Sequence, residues 1–277
     1  RGRVFSAAVQ GGAVATAAED GTVHLWGPSK PFRKVKAIRA HEEEALCLQW
    51  DRCGGGWLLS GGADGTVKLW RPHDSARQEP LAELKLPGQV YATDWGLGAG
   101  ATDIWTASDD QVGHWDLEKS CRLSGSFQCP LFGDEAYGGE RNEGSKAYVF
   151  GLHQCPSREE LAVANSDGIL RVHSREDGRL LHAVQCCQAG VPVTKCAYLG
   201  AGQHLLAATG RGDVFLFDCR KLDSCVYSIQ AHSKPVYDLL GWPAQPGKHF
   251  LSCSSDCTVK AWDAATGGLL GEGRRED

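Results

Sequence analysis

The sequence predicts an all-β fold assembled from one repeated unit, and three observations carry that prediction. A phrase returns: residues 61–70 read GGADGTVKLW and residues 253–262 read CSSDCTVKAW, with Asp, Thr-Val-Lys and Trp at matching offsets. Aligned on the bulky residue closing the phrase, the 277-residue chain gives Trp26, Trp70, Trp115, His173, Phe217 and Trp262, at steps of 44, 45, 58, 44 and 45 residues. No stretch carries a helical period. Short alternating runs rich in Val, Leu, Thr and Trp follow one another between turn residues instead.

Each period holds four strand-like runs. In the second they are ALCLQW (45–50), GWLLSGG (56–62), TVKLW (66–70) and LAELKL (81–86). Six residues before the anchors stand Asp20, Asp64, Asp109, Asp167 and Asp256, with Arg211 in the remaining unit. Where Gly follows, at 20–21, 64–65 and 167–168, the pair predicts a tight turn, because glycine accepts a positive φ without strain. Four antiparallel strands per roughly 40–45 residues is the pattern of a propeller blade. The expected architecture is therefore a single β-propeller domain over residues 1–277, of six four-stranded antiparallel blades. They fall at about 3–40, 41–86, 87–128, 147–185, 190–231 and 232–273. The long step places a loop insertion at 129–146, whose Gly, Glu and Asp content and lack of alternation mark it as a loop.

Composition narrows the function classes. Hydrophobic residues at 42% and charged residues at 23% are those of a globular protein. A net charge of −5 argues against a nucleic-acid partner, which needs an excess of Lys and Arg on some face. No apolar run approaches the ~20 residues that span a bilayer, so no membrane partner is expected. The opening twenty residues faintly resemble a signal peptide, but Gln10, Gly11 and Gly12 break the apolar core and the stretch fits the repeat. The Arg1 start and the absence of Met read as an excised piece of a longer protein. Twelve cysteines include no CxxC pair, so a structural zinc site lacks its ligand spacing. Free thiols persist in reducing compartments, which gives a cytoplasmic or nuclear location. No Gly-rich loop follows a strand and opens a helix, GLGAG (96–100) fits a hairpin turn, and His114 and His173 fall at or beside packing anchors. Neither cofactor nor metal is expected, and the chain is read as not an enzyme.

Trp115-Asp116, Trp262-Asp263 and the variant Phe217-Asp218, together with Ala40-His41 and Ala231-His232, make the chain resemble the WD-repeat β-propeller family along its whole length. The resemblance implies a hydrogen-bonded set inside each blade. Two sets are complete, His41, Ser60, Asp64, Trp70 and His232, Ser252, Asp256, Trp262, and the first blade keeps Thr16, Asp20 and Trp26. A Ser/His/Asp set invites a catalytic reading. A set recurring at matched offsets with an indole as fourth member reads instead as buried polar groups satisfying one another. Seven blades are common in the family, so six or seven remain open for the parent ring.

The resemblance implies a non-catalytic scaffold in a multi-protein complex, holding partner proteins or peptides on its top face. Candidate contacts are Tyr91, Tyr148 and Tyr237, at one repeat position near the start of the inner strand, with the acidic run Glu42, Glu43, Glu44 and the cation Lys234. Tyrosine, large, stiff and amphipathic, is favoured at interfaces. The expected peptide carries Lys or Arg and an apolar anchor. Two alternatives stand beside this reading. LLAATGRGDVFLFDCR (205–220) is similar to the box of WD-repeat substrate receptors of cullin-RING ubiquitin ligases, which puts Asp218 and Arg220 against the ligase adaptor; Arg211 and Phe217 depart from that box. The other is one of the rare WD-repeat hydrolases. RGD at 211–213 falls on a blade's tight turn, which sets an adhesion role aside.

Overall fold

The computed structural model describes residues 3–27, 33–52, 54–74, 79–97, 102–117, 122–129, 148–188, 190–242 and 245–274. Most of the 129–146 insertion, the end of GLGAG, Cys53 and Cys121 lie outside them. The chain divides into two compact units, Arg1–Cys129 and Pro130–Asp277.

The first unit holds three sheets. Blade 1 is β1 (Val4–Gln10), β2 (Ala13–Ala18), β3 (Thr22–Trp26) and β4 (Lys34–Arg39). Blade 2 is β5 (Ala45–Trp50), β6 (Leu58–Gly62), β7 (Thr66–Trp70) and β8 (Ala82–Lys85). Blade 3 is β9 (Val90–Trp95), β10 (Asp103–Ser108), β11 (Gln111–Asp116) and β12 (Arg122–Gln128). The second unit holds the other three. Blade 4 is β13 (Val149–Gln154), β14 (Glu160–Asn165), β15 (Ile169–Ser174) and β16 (Leu180–Gln185). Blade 5 is β17 (Val193–Leu199), β18 (His204–Thr209), β19 (Asp213–Asp218) and β20 (Lys221–Gln230). Blade 6 is β21 (Val236–Gly241), β22 (His249–Ser254), β23 (Thr258–Asp263) and β24 (Leu269–Arg274). Every sheet is a four-stranded antiparallel meander in chain order, and no helix occurs among the described residues. The fold class is all-β, of propeller blades.

Within the first unit β1 lies beside β5 and β5 beside β9; within the second, β13 beside β17 and β17 beside β21. The first strand of each blade is thus the inner one. Apolar residues from facing blades fill the layers between them: Ala15, Val23 and Leu25 of blade 1 meet Leu48, Trp50 and Leu58 of blade 2. Leu206, Val214 and Leu216 of blade 5 meet Leu239, Phe250 and Trp262 of blade 6. Each fully buried Leu, such as Leu58, contributes about 1.5–3 kcal/mol relative to an exposed one. Polar ties cross the same layers, as where Gln49 donates to the buried Asp94 carboxylate at 2.7 Å.

The six anchors all close third strands, pairing with Val14, Leu58, Ile104, Leu161, Leu205 and Phe250 of the second strands. In five blades the register against the outer strand slips at the anchor, beginning with Leu25/Trp26. Such a bulge bends the outer strand and makes room for a bulky ring. The turns before the third strands carry Gly21, Gly65 and Gly168 at positive φ, as the Asp-Gly pairs imply, and Gly212 after Arg211 takes a positive φ as well. Blade 3 differs. Ser108 pairs with Gln111 across a two-residue turn in which Asp109 itself takes φ 51°. Its hairpin is one residue shorter, so Asp109 shares the count from the anchor with Asp64 but not the hairpin geometry. Five of the ten described cysteines are buried, and burial pushes the Cys253 thiol up to about 12. No helix among the described residues is long and apolar enough to cross a membrane.

Candidate functional site

The repeated phrase builds the same bonded set twice. In blade 2, His41 precedes β5 and its ring is 1% exposed. Its Nε2 meets the Ser60 hydroxyl at 2.8 Å, and that oxygen also accepts from Trp70 Nε1 at 2.9 Å. On the other side Nδ1 faces Asp64 and Thr66 Oγ1, each at 3.0 Å. Blade 6 repeats this with His232 to Ser252 at 2.7 Å, Trp262 to Ser252 at 2.8 Å, and His232 against Asp256 and Thr258, each at 3.0 Å. The network assigns the proton to Nδ1, where the carboxylate accepts it, and leaves Nε2 to accept from the serine.

Electrostatics agree with a structural set. Burial lowers His41 and His232 below the ordinary histidine value, outweighing the facing carboxylates that would raise them. Burial raises the Asp64 carboxyl, but Thr66, the Glu42 amide and His41 together hold it below the usual range; Asp256 behaves alike. Ser60 is 0% exposed and its oxygen already serves both His41 and Trp70. A nucleophile has to meet its substrate, and this one has no path to it.

The set also positions what is exposed. Asp64 accepts from the Glu42 amide at 3.1 Å, and Asp256 from the Ser233 amide at 3.1 Å. The loops carrying Glu42, Glu43 and Glu44 and carrying Lys234 are therefore held from below. Gly21 of the preceding blade supports the first: a Cβ there would stand 2.3 Å from the His41 carbonyl oxygen and 2.4 Å from that of Glu43. Glu42, Glu43 and Lys234 are exposed and Glu44 is half-buried. Tyr91 is the second residue of β9, at the same strand end as the glutamates, with its hydroxyl on Gln89 at 2.6 Å. In the second unit Tyr148 directly precedes β13 and Tyr237 is second in β21, exposed by 38% and 46%. These two and Lys234 share the turn end of their own blades. Asp218 and Arg220 sit at the opposite end, in the β19–β20 hairpin, as an ion pair of 2.6 Å with Arg220 87% exposed. Arg220 holds the Asp218 carboxyl well below its usual range.

Sequence reasoning missed several partners. Thr66 and Thr258 complete the two sets, and Lys68 and Lys260 reach back to the carbonyls of Ala40 and Ala231 at 2.7 and 2.8 Å. All four belong to the shared Thr-Val-Lys, so the signal was present. In blade 4 the anchor is His173, pushed down to about 4 by burial, and Arg171 grips Asp167 in a buried pair at 2.7 Å. In blade 5 the RGD turn is packed, with a Gly212 Cβ position only 2.1 Å from the His232 carbonyl oxygen. Blade 3 keeps the indole bond, Trp115 to Thr106 at 2.9 Å.

The two complete sets fall where the family model of the WD domain, G-beta repeat, matches, at residues 32–71 and 223–263. Those two stretches are WD repeats. The chain is similar to the Denticleless protein homolog of Gallus gallus, 36% identical over 107 residues, covering 35% of this chain and 14% of that one. It is also similar to an uncharacterized WD repeat-containing protein of Schizosaccharomyces pombe, 25% identical over 104 residues, 38% of this chain and 17% of that one. The matched region thus spans less than a fifth of each of these relatives.

Proposed function

We propose that this WD-repeat chain is a non-catalytic protein-interaction platform that receives partner peptides at the turn end of its blades. The observation that carries the reading is the Glu42–Glu44 loop, exposed at Glu42 and Glu43 yet fixed by Asp64 and seated on Gly21. Ordered carboxylates recognise a partner without the entropy cost of freezing a floppy loop. Tyr91 on the neighbouring inner strand offers an amphipathic contact nearby, and Tyr148, Tyr237 and Lys234 offer the same end of the second unit. The preferred peptide carries Lys or Arg beside an apolar anchor. Reversing Glu43 and Glu44 to Lys tests this: affinity capture of basic partners should fall while the melting temperature holds. Unchanged capture overturns it.

A second reading, that of a substrate receptor of a cullin-RING ubiquitin ligase, is favoured by one feature. Asp218 and Arg220 form an ion pair on an exposed hairpin, presented outward rather than consumed in packing. Capture of ligase-adaptor peptides by wild type and their loss with Arg220→Ala would support it, and their absence from both would end it.

A further inference from the structure

At the strand end opposite Glu42–Glu44, blades 1 and 2 leave a cleft of about 530 Å³. Leu25, Trp26, Trp50 and Pro72 line it, and Val35, 71% exposed, makes an open wall. Both indoles present carbon only, because Trp26 Nε1 donates to Thr16 at 3.0 Å and Trp50 Nε1 to the Ala8 carbonyl at 3.1 Å. The Trp50 ring stacks on His73 with centroids 5.8 Å apart. A polar recess lined by Gly55, Gly56, Arg71 and Asp74 adjoins it and shares His73. An apolar chamber beside a few convergent polar groups is how ligand sites are usually built.

The charge around the cleft is mostly positive. Lys36 and Arg71 line the two recesses against the carboxylate of Asp74, and the His73 ring adds a polar nitrogen. Exposed Arg33 and Lys34 extend the basic strip along the start of β4. Asp51, nearby, is 7% exposed and its oxygens are taken by the amides of Gly55 at 2.6 Å and Trp57 at 2.8 Å. Its charge is therefore committed inward.

We propose that this cleft is a second docking site, and that it takes a partner-protein segment in which a bulky apolar side chain stands beside carboxylates. The apolar side chain enters between Trp26, Trp50 and Val35. The carboxylate meets Arg71, His73 and Lys36, gaining charge-assisted contacts next to a water-poor wall. This polarity is the reverse of that at the glutamate loop, so the two ends of the blades select different partners.

The test is a random dodecapeptide display library selected on the folded chain, in parallel with a Val35→Asp, Arg71→Glu double variant. Both positions are exposed, so the melting temperature should hold. Peptides recovered by wild type and lost by the variant should carry Leu, Phe or Trp beside Asp or Glu. They should bind wild type at least tenfold tighter than the variant by fluorescence anisotropy, and Glu43→Lys should not weaken them. Should the double variant melt early, the single Arg71→Ala variant, which leaves the apolar wall intact, must weaken the same peptides. Recovering no variant-sensitive peptide, or only ones lacking carboxylates, or equal affinity for Arg71→Ala, overturns the proposal.

Discussion

Replacing Ser60 by Ala should destabilise blade 2 out of proportion to the one oxygen removed. Ser60 is 0% exposed and serves two buried groups at once, His41 Nε2 at 2.8 Å and Trp70 Nε1 at 2.9 Å. Each group left without a partner costs about 1–3 kcal/mol, which sums to about 2–6 kcal/mol. With tenfold per about 1.4 kcal/mol, the lower bound speeds amide hydrogen exchange in β6 and β7 by roughly 30-fold. Exchange read by mass spectrometry on blade 2 peptides measures this directly. Trp70→Phe in the Ser60→Ala background removes one orphaned donor, so the double variant should exchange more slowly than the two single effects combined predict. An acceleration below about threefold, or simple additivity, would refute the view that the serine is a shared structural acceptor.

Burial lowers His41 and His232 below the ordinary value of 6.5, so the unfolded chain binds protons first as pH falls. Urea midpoints should be level above about pH 7 and decline from about 6.5 downward, with further loss below about 4 as Asp64 and Asp256 titrate; a flat profile contradicts this. Gly21→Ala should destabilise the first unit and disturb the Glu42–Glu44 loop, because φ is +75° and the new Cβ meets two carbonyl oxygens. Gly11→Ala, at φ +57° with nothing within 4 Å, should cost much less, and equal melting shifts would count against the packing argument. Arg171→Ala leaves Asp167 buried and unpaired, which costs about 3–5 kcal/mol and should show as faster exchange in blade 4. Asp218→Ala should leave melting unchanged, since Arg220 is almost wholly solvated.

The blades were legible because a propeller repeats its solution. Trp26, Trp115 and Trp262 each stand where the register against the outer strand slips, and counting from such anchors locates the inner strands, the turns and the bonded sets. Counting failed where a blade solved its packing differently. Blade 3 drops one residue from its turn, so Asp109 keeps its offset and loses its counterpart geometry. Blade 4 replaces the histidine set with the Arg171–Asp167 pair, a substitution that no spacing announces. Thr66 and Lys68 lay in plain view within the repeated phrase, but their partners, His41 Nδ1 and the Ala40 carbonyl, are fixed only by the folded hairpin. The cleft was hidden for a different reason. Leu25, Val35, Trp50 and His73 are spread over 49 positions and converge only when two blades pack.

Partners that engage the turn end of the blades should be trapped there in cells. Glu43, Tyr91 and Lys221 are replaced singly with a photo-crosslinking amino acid; Glu43 and Tyr91 stand at the turn end of the first unit. Lys221 is exposed at the start of β20, away from the turn end of its own blade, and serves as the control. A shared set of protein adducts at positions 43 and 91, and none of that set at 221, is the expected result. Adducts at 221 alone, or the same yield at all three, would overturn the platform reading.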